Sequence, residues 1–224
     1  MCGRFTQYNS ISTLKEAFGI KTITCEAKPS YNIAPAQDIL TIIFHEEKRL
    51  GKLNWGFIPS WVKNLSKAQR IINARSETIW EKPSFQKAFK SRRCLIPVNG
   101  FYEWEEIGKQ KQPFYCTLPS KEPFAFAGLW ETWKGKDGTK IHACLIITAE
   151  SSGSMSKIHN RIPVILTSDT HDEWLNPENH DVKKLNEILK DGCIREVETY
   201  PVAKLVNSLR NNSPKCIEQI PQGL

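Results

Sequence analysis

A cysteine at position 2 is one processing step from being the first residue of the chain. Once Met1 is removed, Cys2 carries an α-amine and a thiol on adjacent carbons, a pair that no other residue offers. An aldehyde condenses with such an amine to a Schiff base, and the thiol then closes a five-membered thiazolidine ring. Covalent tethering gives that second step a high effective molarity. Ordinary pKa values, about 7.7–8.0 for the amine and about 8.5 for the thiol, leave a nucleophilic fraction near neutrality. Two further residues are suited to moving the protons. Glu103 lies in Asn99-Gly100-Phe101-Tyr102-Glu103-Trp104, where strand alternation puts Tyr102 and Trp104 on one face and Glu103 on the other. A carboxyl group inside so apolar a run is a candidate for a raised pKa. His159 is a second proton carrier near pH 7. Each residue also admits a plain structural role. Cys2 is then an incidental small residue after Met1, Glu103 a solvent-facing neighbour of Glu105 and Glu106, and His159 a surface histidine like His171 and His180.

The elements that must position these groups are legible in outline. Thr13 and Glu16 have capping-box spacing ahead of a short helix that Gly19 can end. Asp38 to Phe44 reads as a strand, and Pro83 to Arg93 as a short basic helix with Phe85, Ala88 and Phe89 on one face. Strands follow over Cys94 to Val98, Phe101 to Trp104, Phe114 to Leu118, Phe124 to Leu129 and His142 to Thr148, with Asn99-Gly100 as a hairpin signal between the first two. A strand near Val164 to Leu166 and helices near Asp169 to Leu175 and Val182 to Leu189 complete the chain. The expected architecture is α+β: a single domain over 1–224, with a curled, mostly antiparallel, barrel-like sheet and flanking short helices.

With 224 residues, 40% of them hydrophobic and 25% charged, the composition excludes a disordered chain, a collagen and a small disulfide scaffold. No apolar run reaches the roughly 18 residues that a transmembrane helix needs. The N-terminus lacks the apolar core of a secretory signal. A cytoplasmic protein is expected. The seven cysteines are odd in number, widely spaced and without a Cys-x-x-Cys, which argues against a disulfide framework and a zinc ribbon. Cys94, Cys116 and Cys144 read as small buried hydrophobes. The five histidines show no ligand spacing, so neither metal nor cofactor is implied. The net charge of +7 is unevenly placed. Residues 48–93 carry 12 basic side chains against only Glu77 and Glu81, as suits a polyanion such as nucleic acid.

Several polar or Trp- and Pro-rich segments occur in order along the chain: Cys2-Gly3-Arg4-Phe5, Tyr31-Asn32-Ile33-Ala34-Pro35, Trp55 to Trp61 (WGFIPSW), Asn73 to Thr78 (NARSET), Arg93 to Trp104 (RCLIPVNGFYEW) and His159 to Leu166 (HNRIPVIL). This ordered set resembles the SRAP (SOS-response-associated peptidase) family, proteins that shield abasic sites in single-stranded DNA. The resemblance runs from Cys2 to about Leu205.

The resemblance implies a function and a set of roles. The ring-opened abasic site carries an aldehyde, and Cys2 would form a stable thiazolidine DNA–protein cross-link with it after Met1 removal. Glu103 would shuttle protons in formation and reversal. His159 would help open the sugar, and Asn73 would hold the Cys amine and the opened sugar. Arg4 and Arg75 match phosphate-contacting arginines. Trp61 resembles a wedge aromatic that stacks on a base, although Val62 follows it where some members carry a second aromatic. Pro35 and Thr148 match groove-lining residues, and Trp104 and Arg161 complete the expected DNA-binding set. The implied partner is single-stranded DNA with abasic sites, including single-strand/duplex junctions, bound by a monomer that associates with the nucleoid while on DNA. Two other readings stand beside it. One is a cysteine peptidase or autopeptidase with Cys2 as nucleophile, His159 as base and Asn73 as orienter. The other is a non-covalent single-strand or junction binder relying on charge and tryptophan alone.

Overall fold

The computed structural model describes residues 2–63, 65, 68–153 and 155–221. Its strands are β1 (Phe5–Gln7), β2 (Thr22–Ile23), β3 (Ser30–Ile33), β4 (Asp38–His45), β5 (Glu47–Trp55), β6 (Asn73–Arg75), β7 (Arg93–Val98), β8 (Gly100–Ile107), β9 (Gln110–Thr117), β10 (Phe124–Lys134), β11 (Lys140–Glu150), β12 (Arg161–Pro163), β13 (Ile165–Leu166), β14 (Cys193–Ile194) and β15 (Glu198–Pro201). The helices are α1 (Ile11–Phe18), α2 (Pro83–Ser91), α3 (Met155–Ile158), α4 (His171–Leu175) and α5 (Val182–Asp191).

The strands form two sheets. One has the order β15-β9-β8-β1-β3 and is antiparallel throughout. In the other, β11, β5, β4, β7 and β10 pair in turn, and β10 pairs back onto β11, which closes a five-stranded ring. The fold is α+β with a mostly antiparallel, barrel-like sheet and short helices, as expected. Parallel pairing is confined to short contacts of β2 with β5, and of β5 and β6 with β11.

Local chemistry explains the elements, with two departures from the sequence reading. The first concerns α1, whose cap is Ser10, three residues before Thr13. The Ser10 side chain accepts from the Thr13 N–H at 3.1 Å. An eight-residue helix is what brings both Leu14 and Phe18 down onto the core. Gly19 ends it in the left-handed conformation at φ 63°, as its position suggested. The expected helix over Val182 to Leu189 is present as α5. Asp181 caps it through the N–H groups of Lys183 and Lys184, and Leu185, Ile188 and Leu189 are buried at helical spacing.

The second departure is at Asn99-Gly100, which is no hairpin. β7 belongs to the ring and β8 to the other sheet, so the chain changes sheets at this dipeptide. Asn99 serves the crossing by accepting from the Tyr8 N–H at 2.8 Å and donating its own N–H to the Thr6 carbonyl. Gly100 is needed for space: a Cβ there would lie 2.3 Å from the Tyr115 ring and 2.7 Å from the Cys116 carbonyl. Gly100→Ala is therefore expected to lose about 1–3 kcal/mol of stability. Urea unfolding would show a lower midpoint at an unchanged m-value.

Apolar side chains from both sheets meet in a common core that includes Phe5, Trp55, Phe101 and Phe126, and Cys2 is buried at its edge. A second cluster lies beneath α1, α2, α4 and α5. Cys94, Cys116 and Cys144 are buried within the first, and all seven cysteines are unpaired. Among the described residues, no helix is long and apolar enough to cross a membrane.

Candidate functional site around Cys2

Pairing between β1 and β8 brings the site together. Phe5 faces Phe101 and Thr6 faces Gly100, and the Tyr102 N–H donates to the Arg4 carbonyl at 2.9 Å. Continued by one step, this register sets Glu103 opposite Gly3 and so beside Cys2. Asn73, at the start of β6, reaches the same point from the ring. Its Nδ2 donates to the Cys2 carbonyl at 2.8 Å. Its Oδ1 is buried and accepts no hydrogen bond among the described residues, leaving an acceptor turned into the site.

Burial sets the protonation states. Cys2 is wholly buried, and this pushes its thiol well above the ordinary range, with the charge of Glu103 acting in the same direction. The Glu103 carboxyl, 3% exposed, is pushed up to about 7 by burial, while the positive charge of the chain's amino terminus pulls the other way. Glu103 is thus no solvent-facing strand residue. Near neutral pH it can both take up and give a proton. His159 follows α3 and is half-buried. Its Nδ1 accepts from the Arg161 N–H at 2.9 Å and lies 3.2 Å from the Arg161 carbonyl oxygen. Burial first, and then the amino-terminal charge, push its pKa down and favour the neutral form.

The remaining expected residues surround this centre in different ways. Arg4 is half-buried; its Nη1 donates to Asn32 Oδ1 at 2.6 Å and to the Val206 carbonyl at 2.8 Å. Trp104 lies 5.8 Å from the Arg4 guanidinium and donates its indole N–H to Asn207. Arg75 is exposed at the end of β6, and Pro35 is exposed in the turn between β3 and β4. Trp61 is 66% exposed. Thr148, opposite Arg75 in register, is wholly buried and donates to the Ala74 carbonyl at 3.3 Å. Arg161 is only 9% exposed. Its guanidinium forms a two-pronged pair with Glu77 at 2.7 and 2.9 Å and also donates to the Thr148 carbonyl. In this arrangement Arg161 ties β12 to β11 and to the segment that follows β6, and its backbone N–H holds the His159 ring.

Sequence reasoning assigned no role to Asn32 or Glu77, although both lie in segments it singled out. Asn32 is buried, and its Nδ2 donates to the carbonyls of Val206, Ser208 and Asn211, tying the C-terminal segment beneath Arg4. An asparagine between Tyr31 and Ile33 in a strand-like run was the available signal. Nor does the basic stretch 48–93 form one face. Arg93 is buried against main-chain carbonyls that include those of Phe89 and Trp174, Lys48 pairs with Asp172, and Arg92 pairs with Glu131.

A model of the family described as SOS response associated peptidase (SRAP) matches residues 1–209. The chain belongs to the SRAP family. It is 46% identical over 222 residues to the abasic site processing protein YoqW of Bacillus subtilis (strain 168), an alignment covering 97% of this chain and 99% of that one. It is 32% identical over 225 residues to the abasic site processing protein HMCES of Xenopus tropicalis, covering 86% of this chain and 67% of that one. Among solved structures, a Bacteroides thetaiotaomicron protein superposes with a TM-score of 0.87 at 24% identity, over 98% of this chain and 100% of that one, and shares the fold. In this SRAP chain, Cys2, Asn73 and Glu103 meet where the two sheets meet. The residues given DNA-binding roles by resemblance divide into exposed ones, Pro35, Trp61 and Arg75, and ones wholly or partly built into the scaffold, Arg4, Trp104, Thr148 and Arg161.

Proposed function

We propose that this SRAP protein captures abasic sites in single-stranded DNA as a covalent thiazolidine adduct of Cys2. The observation that carries the reading is the placement of Cys2 beside a carboxyl group held near neutrality, with Asn73 clamping the Cys2 carbonyl. Met1, whose removal exposes the reacting amine, lies outside the described residues.

The α-amine adds to the aldehyde carbon, and loss of one water leaves an iminium. The thiol sulfur then bonds to the same carbon and gives up its proton, closing the ring. Burial keeps that thiol protonated, so the amine acts first and the thiol needs a nearby proton acceptor. Glu103 accepts that proton and supplies the one that leaves with water. His159 donates a ring N–H hydrogen bond to the sugar ring oxygen, which takes up a proton as the hydroxyl on C1′ releases one and the ring opens. Arg75 contacts the backbone phosphates beside the lesion, and Trp61 stacks on a base. A monomer suffices for one lesion on one strand, and the cytoplasm, at the nucleoid, is where it would meet such DNA. A peptidase would need a Cys2 thiolate beside a protonated imidazole. Burial drives both groups the other way.

Intact-mass spectrometry tests the reading on protein mixed with a single-stranded oligonucleotide bearing one abasic site. The expected species is des-Met protein plus DNA less one water. Des-Met protein that yields no adduct overturns the covalent chemistry.

A further inference from the structure

Arg4 stands two residues from Cys2 and is half-buried. Its Nη1 donates to two neutral acceptors, Asn32 Oδ1 and the Val206 carbonyl. Among the described residues, no carboxylate pairs with it. Its Nε is buried and donates no hydrogen bond among the described residues, and its Nη2 donates none either. Nε and Nη2 form one edge of the guanidinium, the edge that grips an oxyanion with two parallel N–H bonds. A buried donor without a partner calls for a physical reason. An oxyanion taken up at this edge is such a reason.

Asn32 sets the direction of that edge. It lies on β3 and is 3% exposed. Its Oδ1 accepts from Arg4 Nη1 at 2.6 Å, and its Nδ2 donates to the carbonyls of Val206, Ser208 and Asn211 at 3.2, 3.0 and 2.7 Å. The Val206 carbonyl therefore receives both Arg4 and Asn32, which closes a hydrogen-bonded ring. The same C-terminal segment holds Trp104, because Asn207 Oδ1 accepts its indole N–H at 2.8 Å and the indole stacks 5.8 Å from the guanidinium. We infer that Asn32 is a positioning residue for Arg4. It draws the C-terminal segment beneath the guanidinium and holds Nη1, so that the Nε–Nη2 edge is presented to a phosphate oxygen beside the lesion. This rests on the function proposed above. Only an amide suits the position. A carboxylate would accept from Arg4 but neutralise its charge and could not donate to the three carbonyls, and a hydrocarbon would do neither.

The test is a double-variant cycle read by fluorescence anisotropy over a salt series. The probe is a single strand carrying an unreactive tetrahydrofuran analogue of the abasic site. Asn32→Ala is expected to bind about tenfold more weakly, with the salt slope reduced by about 0.7, the share of one single-strand phosphate contact. Arg4→Ala should show the same two changes, and the double variant no more than Arg4→Ala alone. Tyr200→Phe removes a hydroxyl bond to the Ile217 carbonyl and so loosens the same segment away from Arg4. It should lower the melting temperature and keep wild-type affinity and slope. Wild-type affinity and slope in Asn32→Ala overturn the proposal. So does a loss in the double variant equal to the sum of the two single losses, which would make Asn32 act independently of Arg4. An equal fall in slope in Tyr200→Phe would assign the effect to the loosened segment and overturn it as well. Should Asn32→Ala not fold, Arg4→Lys carries the test. It keeps the charge but has one nitrogen where the guanidinium has three, so Asn32 and Val206 occupy it, and its affinity should stay within about threefold of Arg4→Ala. Wild-type affinity in Arg4→Lys overturns the proposal. Des-Met wild type that cross-links abasic DNA leaves the proposed function standing whatever these variants do. Des-Met wild type that forms no adduct refutes that function separately.

Discussion

Cys2→Ala protein, processed to its new N-terminus and mixed with single-stranded abasic DNA, is expected to form no heat-stable adduct. The loss should exceed about a hundredfold, because ring closure by a tethered thiol draws on effective molarities of up to about 10⁵–10⁸ M. The chemistry also requires a residual species. The variant keeps an α-amine, so an iminium still forms and borohydride should trap it. Cys2→Ser sharpens the result, since its hydroxyl is a far weaker nucleophile than a thiol and its adduct should be short-lived unless reduced. Denaturing gels with and without borohydride, supported by intact mass, read all three proteins. A heat-stable Cys2→Ala adduct in the absence of reductant would remove Cys2 from the mechanism.

Glu103→Gln should slow cross-link formation by about 10²–10⁴, the range for loss of a positioned acid/base group. Wild-type rates taken from pH 5 to 9 are expected to show an inflection near 7, and Glu103→Gln should lose it, because the residue held at about 7 is gone. The same group links stability to pH. Its folded pKa of about 7 lies above the ordinary 4.5. The folded state therefore holds the extra proton between those values. The stabilisation this gives is complete below about pH 4.5 and is lost as pH rises through about 7. For a side chain 3% exposed, that shift corresponds to about 3 kcal/mol. Urea midpoints for wild type should accordingly fall across this window, and those for Glu103→Gln should fall less. Equal slopes would show that Glu103 is not held protonated by its surroundings. A wild-type rate profile in Glu103→Gln would show that it moves no proton in the reaction.

Much of the scaffold was legible because it depends on local pattern. The helical spacing behind α5, the apolar runs behind β4, β7, β10 and β11, and the strand alternation through Glu103 depend on residues within a few positions of one another. The hairpin reading of Asn99-Gly100 failed because the dipeptide reports a turn and not the strands that pair across it. The partners of β8 are β1, nearly a hundred residues earlier, and β9. The Ser10 cap was missed because Thr13 satisfies the same motif, and only the packing of Leu14 and Phe18 separates the two.

By itself, the sequence determined which groups exist and what each can do: an amine and a thiol at Cys2, a carboxyl group at Glu103, an imidazole at His159, and an excess of positive charge. Tertiary structure decided their states and company. Glu103 and its neighbour Glu106 are the same residue on the same strand, yet one is buried and the other exposed. The difference arises because β1 lays Cys2 against Glu103 and β8 then runs outward. Likewise, Arg75 and Arg161 carry the same charge, but Arg75 faces solvent whereas Arg161 spends its two Nη groups on Glu77 and Thr148. Chemical identity belongs to the residue. A pKa, a free donor or a near neighbour depends on the local dielectric and on contacts between distant segments, which only the folded chain brings together.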